Sequence, residues 1–403
     1  MCNQKASIFS YPHASGHFGI ERENLRVDHH GRLAMTPHPD ALGNKQTNPE
    51  ITTDFSESQV ELVTPIASSL QEMLSHMQRL TRTVYSGIGD ELLWPLSTPP
   101  NHLPPDDQIP IADFGPGGKE KTAYRFYLSK KYGRKRQLYC GIHLNYSFPD
   151  DLMGDASQRG FFYVQVAASA LRHRFFLVHL LAASPEKIDG VCYRSARLSV
   201  HGYKNIRPIY LDYSSPSAYQ QSMKKAVAQG LVEGPRELYQ LVRIKGKGFE
   251  DLEQIPEAGR IELRIADLNP FFPAGINPSD LYLMHLYLLW CAQNRISDFT
   301  VEQQKEADAW ATEAAQTCFS DAFRNRMNQM FEALHRFLHQ SRLPQVYDQA
   351  LTQAQSRWSE PKLSYAARIK AACAESPNSA MQWATSQKEQ NLGSSAQRNP
   401  YAP

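Results

Sequence analysis

A chain of 403 residues, 41% hydrophobic and 21% charged, is long and apolar enough to bury a large core. Its net charge of +2 selects no polyanionic partner by bulk electrostatics. Its six cysteines include no CxxC pair, which argues against a zinc ribbon or a small disulfide scaffold and for reduced thiols.

The opening "MCNQKASIFSYPHASGHF" shows no apolar run of the kind a secretory signal needs. The most apolar long stretch, 161–183, is broken by "RHR" and reads as a buried helix, so the expectation is a cytoplasmic protein without a membrane span. "FGIERENLRV" (18–27) reads as a strand that turns at Asp28–Gly31, with His29 and His30 as solvated turn residues. "ITTDFSESQVELVTP" (51–65) holds a second strand, on which Gln59 and Glu61 share a face. Leu70, Met73, Leu74, Met77, Leu80 and Val84 recur at three and four, predicting a helix over 68–90 with a capping box from Ser69 to Glu72. A proline-rich excursion (94–118) precedes a basic segment, 119–136, and then an alternating strand, 137–148. On that strand Leu138, Cys140, Ile142 and Leu144 oppose Gln137, Gly141, His143 and Asn145. A helical stretch covers 157–183, and "GRIELRIADL" (259–268) is a further strand. Asn277 and Pro278 open a helix, and 301–370 is helical. From Ser376 the chain is polar and rich in Gln, Ser and Asn. That divides it into a body, 1–375, and a tail, 376–403, expected to fray.

Four strands share one property: an apolar face backed by a reactive one. The reactive faces collect Glu21, Glu23, Asp54, Glu61 and Glu262 with His143, Asn145, Gln137 and Arg264. An antiparallel sheet with one wet face would alternate in the same way. Carboxylates concentrated on one surface repel unless cations lie between them. Oxygen-rich clusters suit Mg²⁺ or Mn²⁺, with substrate phosphates completing the shell. Arg264 could grip a carboxylate or phosphate through its planar fork, so the parts fit metal-assisted phosphoryl transfer. Neither GxxxxGK[ST] nor GxGxxG occurs, which disfavours a Walker or dinucleotide loop. Arg22 falls on the opposite strand face and reads as structural.

The motifs "GIERENLRV", "NPEITTDFSESQVELVTP", "GDELLWPLSTPP", "YRFYLSKKYG", "GIHLNYSFP", "RSARLSVHGY", "ELYQLVRIKG", "IELRIADLNPFFPAGI" and "LSYAARI" together resemble the bacterial glutamate–cysteine ligase family. They also resemble the matching domain of bifunctional glutathione synthetase. The resemblance runs from about Phe18 to Ile369. It implies an α+β fold in which a curved, mainly antiparallel sheet forms a funnel with outer helices, like that of glutamine synthetase. It implies ATP-dependent joining of the glutamate γ-carboxylate to the cysteine amine through an acyl phosphate, the first step of glutathione biosynthesis. Carried over by motif, Glu21, Glu23, Asp54, Glu61, His143 and Glu262 would hold Mg²⁺ or Mn²⁺. Arg264, with Glu21, would serve catalysis. Gln137, Asn145 and Arg197 would line the glutamate pocket, Tyr124, Arg125 and Tyr203 the cysteine pocket, and Arg243 and Lys245 would face the ATP phosphates. Two features differ from longer members: the stretch between "HGY" and "ELYQ" is short, and 295–345 lacks a Gly/Arg-rich segment.

Two alternatives stay open at this level. One keeps the chemistry but changes the acceptor amine. The other is a non-catalytic protein that uses the basic segment 119–136, with eight Lys or Arg against one acid, to bind nucleic acid. The ligase reading needs small-molecule partners only, with neither nucleic acid nor membrane, and leaves the oligomeric state undetermined.

Overall fold

The computed structural model describes residues 14–393. Its main sheet is antiparallel throughout. The path is β2 (Ile51–Thr53), β3 (Gln59–Val63), β1 (His17–Val27), β5 (Gly141–Ser147), β9 (Glu257–Asp267) and β8 (Val242–Lys247), with β4 (Leu92–Leu93) paired to the far end of β1. A separate two-stranded ribbon joins β6 (Glu186–Ile188) to β7 (Val191–Tyr193). The β1 turn forms as the sequence predicts: Gly31 N–H reaches the Asp28 carbonyl at 3.0 Å, and Gly31 takes φ +74°, which favours glycine.

One face of the sheet is apolar. Ile20, Leu62, Ile142, Leu144, Ile261, Leu263 and Ile265 are buried there. Against the sheet pack α1 (Leu70–Gly87), α3 (Ala156–His173), α4 (Phe175–Leu180) and α6 (Pro278–Gln293). Helix α6 is apolar on every side, as a helix enclosed between layers must be. Outside it lie α7 (Val301–Ala314), α8 (Asp321–Ser341) and α9 (Gln345–Ser359). A buried set ties α6 to α9 and α10 (Tyr365–Glu375): Arg357 pairs with Asp280 at 2.5 Å, and Tyr365 Oη donates to Asp280 at 2.8 Å. Arg22 also lies on the helix side, 1% exposed, and donates to Asn24, Thr81 and the Pro273 carbonyl.

The basic segment forms α2 (Lys119–Tyr132), and α5 (Pro216–Ala228) sits in the mixed region before β8. Among the described residues, no helix is long and apolar enough to cross a membrane.

Three expectations change. Strand β5 begins at Gly141, and Gln137 lies in a 3-10 turn, Lys135–Leu138, that precedes it. The α1 cap is half of the expected box: Ser69 Oγ accepts from Glu72 N–H, while the Glu72 carboxylate reaches Ser68. The segment expected to fray is a packed helix, α11 (Ser379–Gly393), with Ala380 and Ala384 buried. Gln387 donates from α11 to the Pro270 carbonyl at 2.8 Å, and Met381 packs over the Gly31 turn. Residues 394–403 of that segment lie outside the described residues.

Candidate active site

Strand register assembles the wet face. Glu21 pairs across to His143, Glu23 to Glu61, Asn145 to Glu262, and Arg243 to Glu262. Because side chains alternate, these pairings put five strands' reactive residues on one surface. His143 stands at the centre. Its Nδ1 is 3.2 Å from Glu21 Oε2 and 4.0 Å from Glu262 Oε1, and its Nε2 is 3.7 Å from Glu23 Oε1. Glu21, His143 and Glu262 each offer one ligand atom, all within 4.8 Å of one another. Asp54 lies just beyond β2, with its N–H bonded to the Gln59 carbonyl at 3.0 Å.

The charge states follow from these neighbours. Burial and Glu262 push the Glu21 carboxyl up, but the hydrogen bond and charge of His143, with Lys245, outweigh them and hold it below the usual range. Burial and the Asp54 charge push Glu23 up to about 8. Burial also raises Asp54, and burial with Asp54, Glu21 and Glu23 raises Glu61 well above the ordinary range. Burial, then the Arg264 cation, lower His143 to about 4, so its imidazole is neutral with a lone pair to offer. Burial opposes ionisation of Glu262, yet Arg264, Arg243 and Lys245 hold it below the usual range. Glu262 Oε2 is buried with no hydrogen-bond partner. Glu21 and Glu262, both held ionised, the latter with an oxygen that has no hydrogen-bond partner, and a neutral imidazole make a donor set that fits a divalent cation.

Arg264 borders this cluster. Its Nη1 donates to Glu262 at 3.1 Å and its Nη2 to Tyr203 Oη at 2.7 Å. Arg197 lies deeper, 1% exposed. It donates to the Arg264 carbonyl at 2.9 Å and is 3.5 Å from Asp267, so it supports the Arg264 backbone from beneath. The Arg197 guanidinium lies flat against Gly141: a Cβ added there would come within 2.0 Å of it. Gly141 N–H in turn donates to Glu23 at 2.9 Å.

Gln137 accepts from Tyr239 Oη at 3.2 Å, and Asn145 donates to Glu21 at 2.9 Å. Arg125 reaches the Thr53 and Asp54 carbonyls and covers the Phe114 ring at 4.4 Å. Tyr124 sits under the Arg236 guanidinium, 3.7 Å from ring centroid to carbon. Arg243 is buried and bonded to the Pro235 carbonyl, while Lys245 pairs with Glu250 at 2.8 Å.

The sequence reading missed the wall behind these groups. Tyr239 stacks on Tyr203 at 4.2 Å. Glu237, fully buried, accepts from Tyr127 at 2.9 Å and Tyr132 at 2.7 Å, and Asn205 bridges the Glu237 carbonyl to Tyr239 N–H. The only hint was "ELYQ", which marked the segment without assigning its side chains.

Comparison with known proteins places the chain in a family. Residues 10–190 and 205–313 match the family described as glutamate-cysteine ligase. The glutathione biosynthesis bifunctional protein GshAB of Desulfotalea psychrophila is 37% identical over 333 residues, 74% of this chain and 42% of its own length. GshAB of Listeria welshimeri is 34% identical over 403 residues, 88% of this chain and 51% of its own length. This chain thus spans about half the length of the curated relatives it matches. The crystal structure of a bifunctional glutathione synthetase from Pasteurella multocida superposes with a TM-score of 0.84 at 27% identity, over 96% of this chain and 53% of that one. A Francisella tularensis glutamate–cysteine ligase in complex with AMP superposes at 0.85 and 23% identity, over 94% and 89%, a likeness of fold. With nearly three quarters of its length inside the family match, this chain belongs to the glutamate–cysteine ligase family.

Proposed function

We propose that this chain joins the γ-carboxylate of glutamate to the amine of cysteine, converting ATP to ADP and phosphate. The observation that carries it is the single sheet face on which acids, a neutral imidazole and the clamped Arg264 converge. In the first step a γ-carboxylate oxygen attacks the γ-phosphorus, and ADP leaves. In the second, the cysteine nitrogen attacks the acyl carbon, the C–N bond forms, the C–O bond to phosphate breaks, and the amine sheds a proton. No protein nucleophile is needed, so the chain's own work is placement and charge complementarity.

Arg264 would hold the γ-carboxylate and then the moving phosphoryl group, with Glu262, Tyr203 and Arg197 fixing its direction. Glu21, Glu23, Asp54, Glu61, His143 and Glu262 would hold Mg²⁺ or Mn²⁺, which supplies neutralisation of the phosphate charge when bound. Asn145 would meet glutamate directly, while Gln137 and Arg197 would shape its pocket. Tyr124, Arg125 and Tyr203 would form the acceptor pocket, backed by Tyr239. Arg243 and Lys245 would face the ATP phosphates. The curved wet face would form the inner wall of a funnel, with nucleotide and amino acids meeting at Arg264.

Incubation with ATP, Mg²⁺, glutamate and cysteine should release phosphate in step with γ-glutamylcysteine. Folded protein that makes no product above background would overturn the reading. A panel of amino acids at fixed glutamate tests the acceptor separately. A preferred amine other than cysteine would revise the acceptor and leave the phosphoryl chemistry in place.

A further inference from the structure

Where two charged residues face each other across the ladder of the wet face, their signs are opposite, with two exceptions among the described residues. Arg243 faces Glu262 and Lys247 faces Glu257, while Glu21 faces the neutral His143 imidazole. The exceptions are Glu23 opposite Glu61, two acids, and Arg260 opposite Lys245, two cations. Like charges directly opposite destabilise a sheet. The acid pair belongs to the cluster that fits a cation. By the same reasoning the cation pair calls for an anion.

The surroundings of Arg260 narrow that anion. Lys245 has a partly exposed partner in Glu250, whereas Arg260 has no carboxylate partner among the described residues. Arg260 Nε donates to Asn145 Oδ1 at 2.9 Å, which turns the Asn145 amide so that its Nδ2 faces Glu21. Among the described residues, the terminal nitrogens of Arg260 make no hydrogen bond to the protein. Arg260 borders an open cleft shared with Gly19, Glu21, Thr64, Ile66 and Ser147. Along β9 the cations Arg260 and Arg264 flank Glu262, about 13 Å apart at about 3.3 Å per residue. One end of this row is the site proposed for phosphoryl transfer. The other opens to solvent, where an extended polyanion would enter.

We propose that Arg260, with Lys245, binds the non-transferring phosphates of the nucleoside triphosphate. This rests on the ligase reading, which makes ATP the anion. Contacts to phosphates that do not react bind ground state and transition state alike, so their loss raises KM and spares kcat.

The test measures steady-state constants and Mg²⁺–ATP binding by calorimetry without amino acids, for wild type, Arg260→Ala and Arg260→Lys. Loss of one charge-assisted phosphate contact should raise the ATP KM and Kd about 10-fold in Arg260→Ala. Arg260→Lys, which keeps the charge but not the fork, should fall between. The kcat and the KM for cysteine should stay within about twofold. Equal nucleotide affinity in Arg260→Ala and wild type overturns the proposal. So does a shift confined to the Mg²⁺ requirement, which would reduce Arg260 to orienting Asn145. If wild type makes no γ-glutamylcysteine, the ligase reading fails, and the calorimetry still decides whether Arg260 meets the phosphates.

Discussion

Glu21 and Glu23 stand two residues apart on one strand face, yet their surroundings drive them in opposite directions. A hydrogen bond from His143 keeps Glu21 ionised, whereas burial beside Asp54 favours the proton on Glu23. Glu21→Gln preserves side-chain shape and can still accept from Asn145, so the fold should survive. Removing the charge beside Glu262 and His143 should lower ligation about 100-fold, in the range seen when one preorganised electrostatic contact is lost. Product formation across a Mg²⁺ titration checks this, and near-wild-type turnover at low Mg²⁺ would contradict it. A second residue-scale consequence lies far from the site. His285 is fully buried, its Nδ1 is 2.8 Å from Tyr347 Oη, and burial lowers it from 6.5 to about 3. The unfolded chain binds this proton below pH 6.5 and the folded chain does not, so the stability it protects is whole above pH 7 and drains as pH falls toward 3. At pH 5 the loss is about 2 kcal/mol. Unfolding curves of His285→Phe should therefore be flatter in pH between 7 and 5 than those of wild type. Parallel curves would count against this histidine as a source of acid sensitivity.

Among elements, those with a strong period were readable from the residues. The alternation in "RIELRIAD" and the threes and fours of α1 each announce one face, and the structure buries those faces. Gln137 was misplaced because alternation continues through "QLYC" by chance, while the backbone there closes a 3-10 turn. Helix α11 escaped notice for a different reason. It attaches through small alanines and through Gln387 and Lys388, whose side chains donate to the Phe272, Pro270 and Glu91 carbonyls. Such bonds leave no hydrophobic stripe to read. Trp383 adds an edge contact to Phe271 at 5.5 Å. Ending the chain at residue 378 should uncover enough of Met381, Trp383 and the alanines to lower stability by roughly 3 kcal/mol, at about 25 cal/mol per Å². Denaturant unfolding of the truncated chain measures this, and an unchanged midpoint would show that α11 contributes no net stability.

At the scale of the whole molecule, the sequence exposed the reactive residues but not their neighbours. Alternation shows that Glu21, His143 and Glu262 each look away from an apolar face. Only the strand order, which sets β1 beside β5 and β5 beside β9, brings residues as far apart as 21 and 262 within ligand distance. The family resemblance supplied that juxtaposition as an expectation. The tyrosine wall and the unbalanced Arg260–Lys245 pair required the ladder itself, because each is a relation between strands.

Gly141 carries a consequence for how freely this sequence can vary. Any side chain at that position collides with the Arg197 guanidinium, which cannot swing aside without giving up the Arg264 carbonyl and Asp267. Gly141→Ala should therefore lower kcat about 10-fold or more and lower the melting temperature as well, since Arg197 leaves its buried partner Asp267 and Arg264 loses alignment. Shortening the partner as well, in Gly141→Ala with Arg197→Lys, should recover part of the loss. The two positions would then change together or not at all.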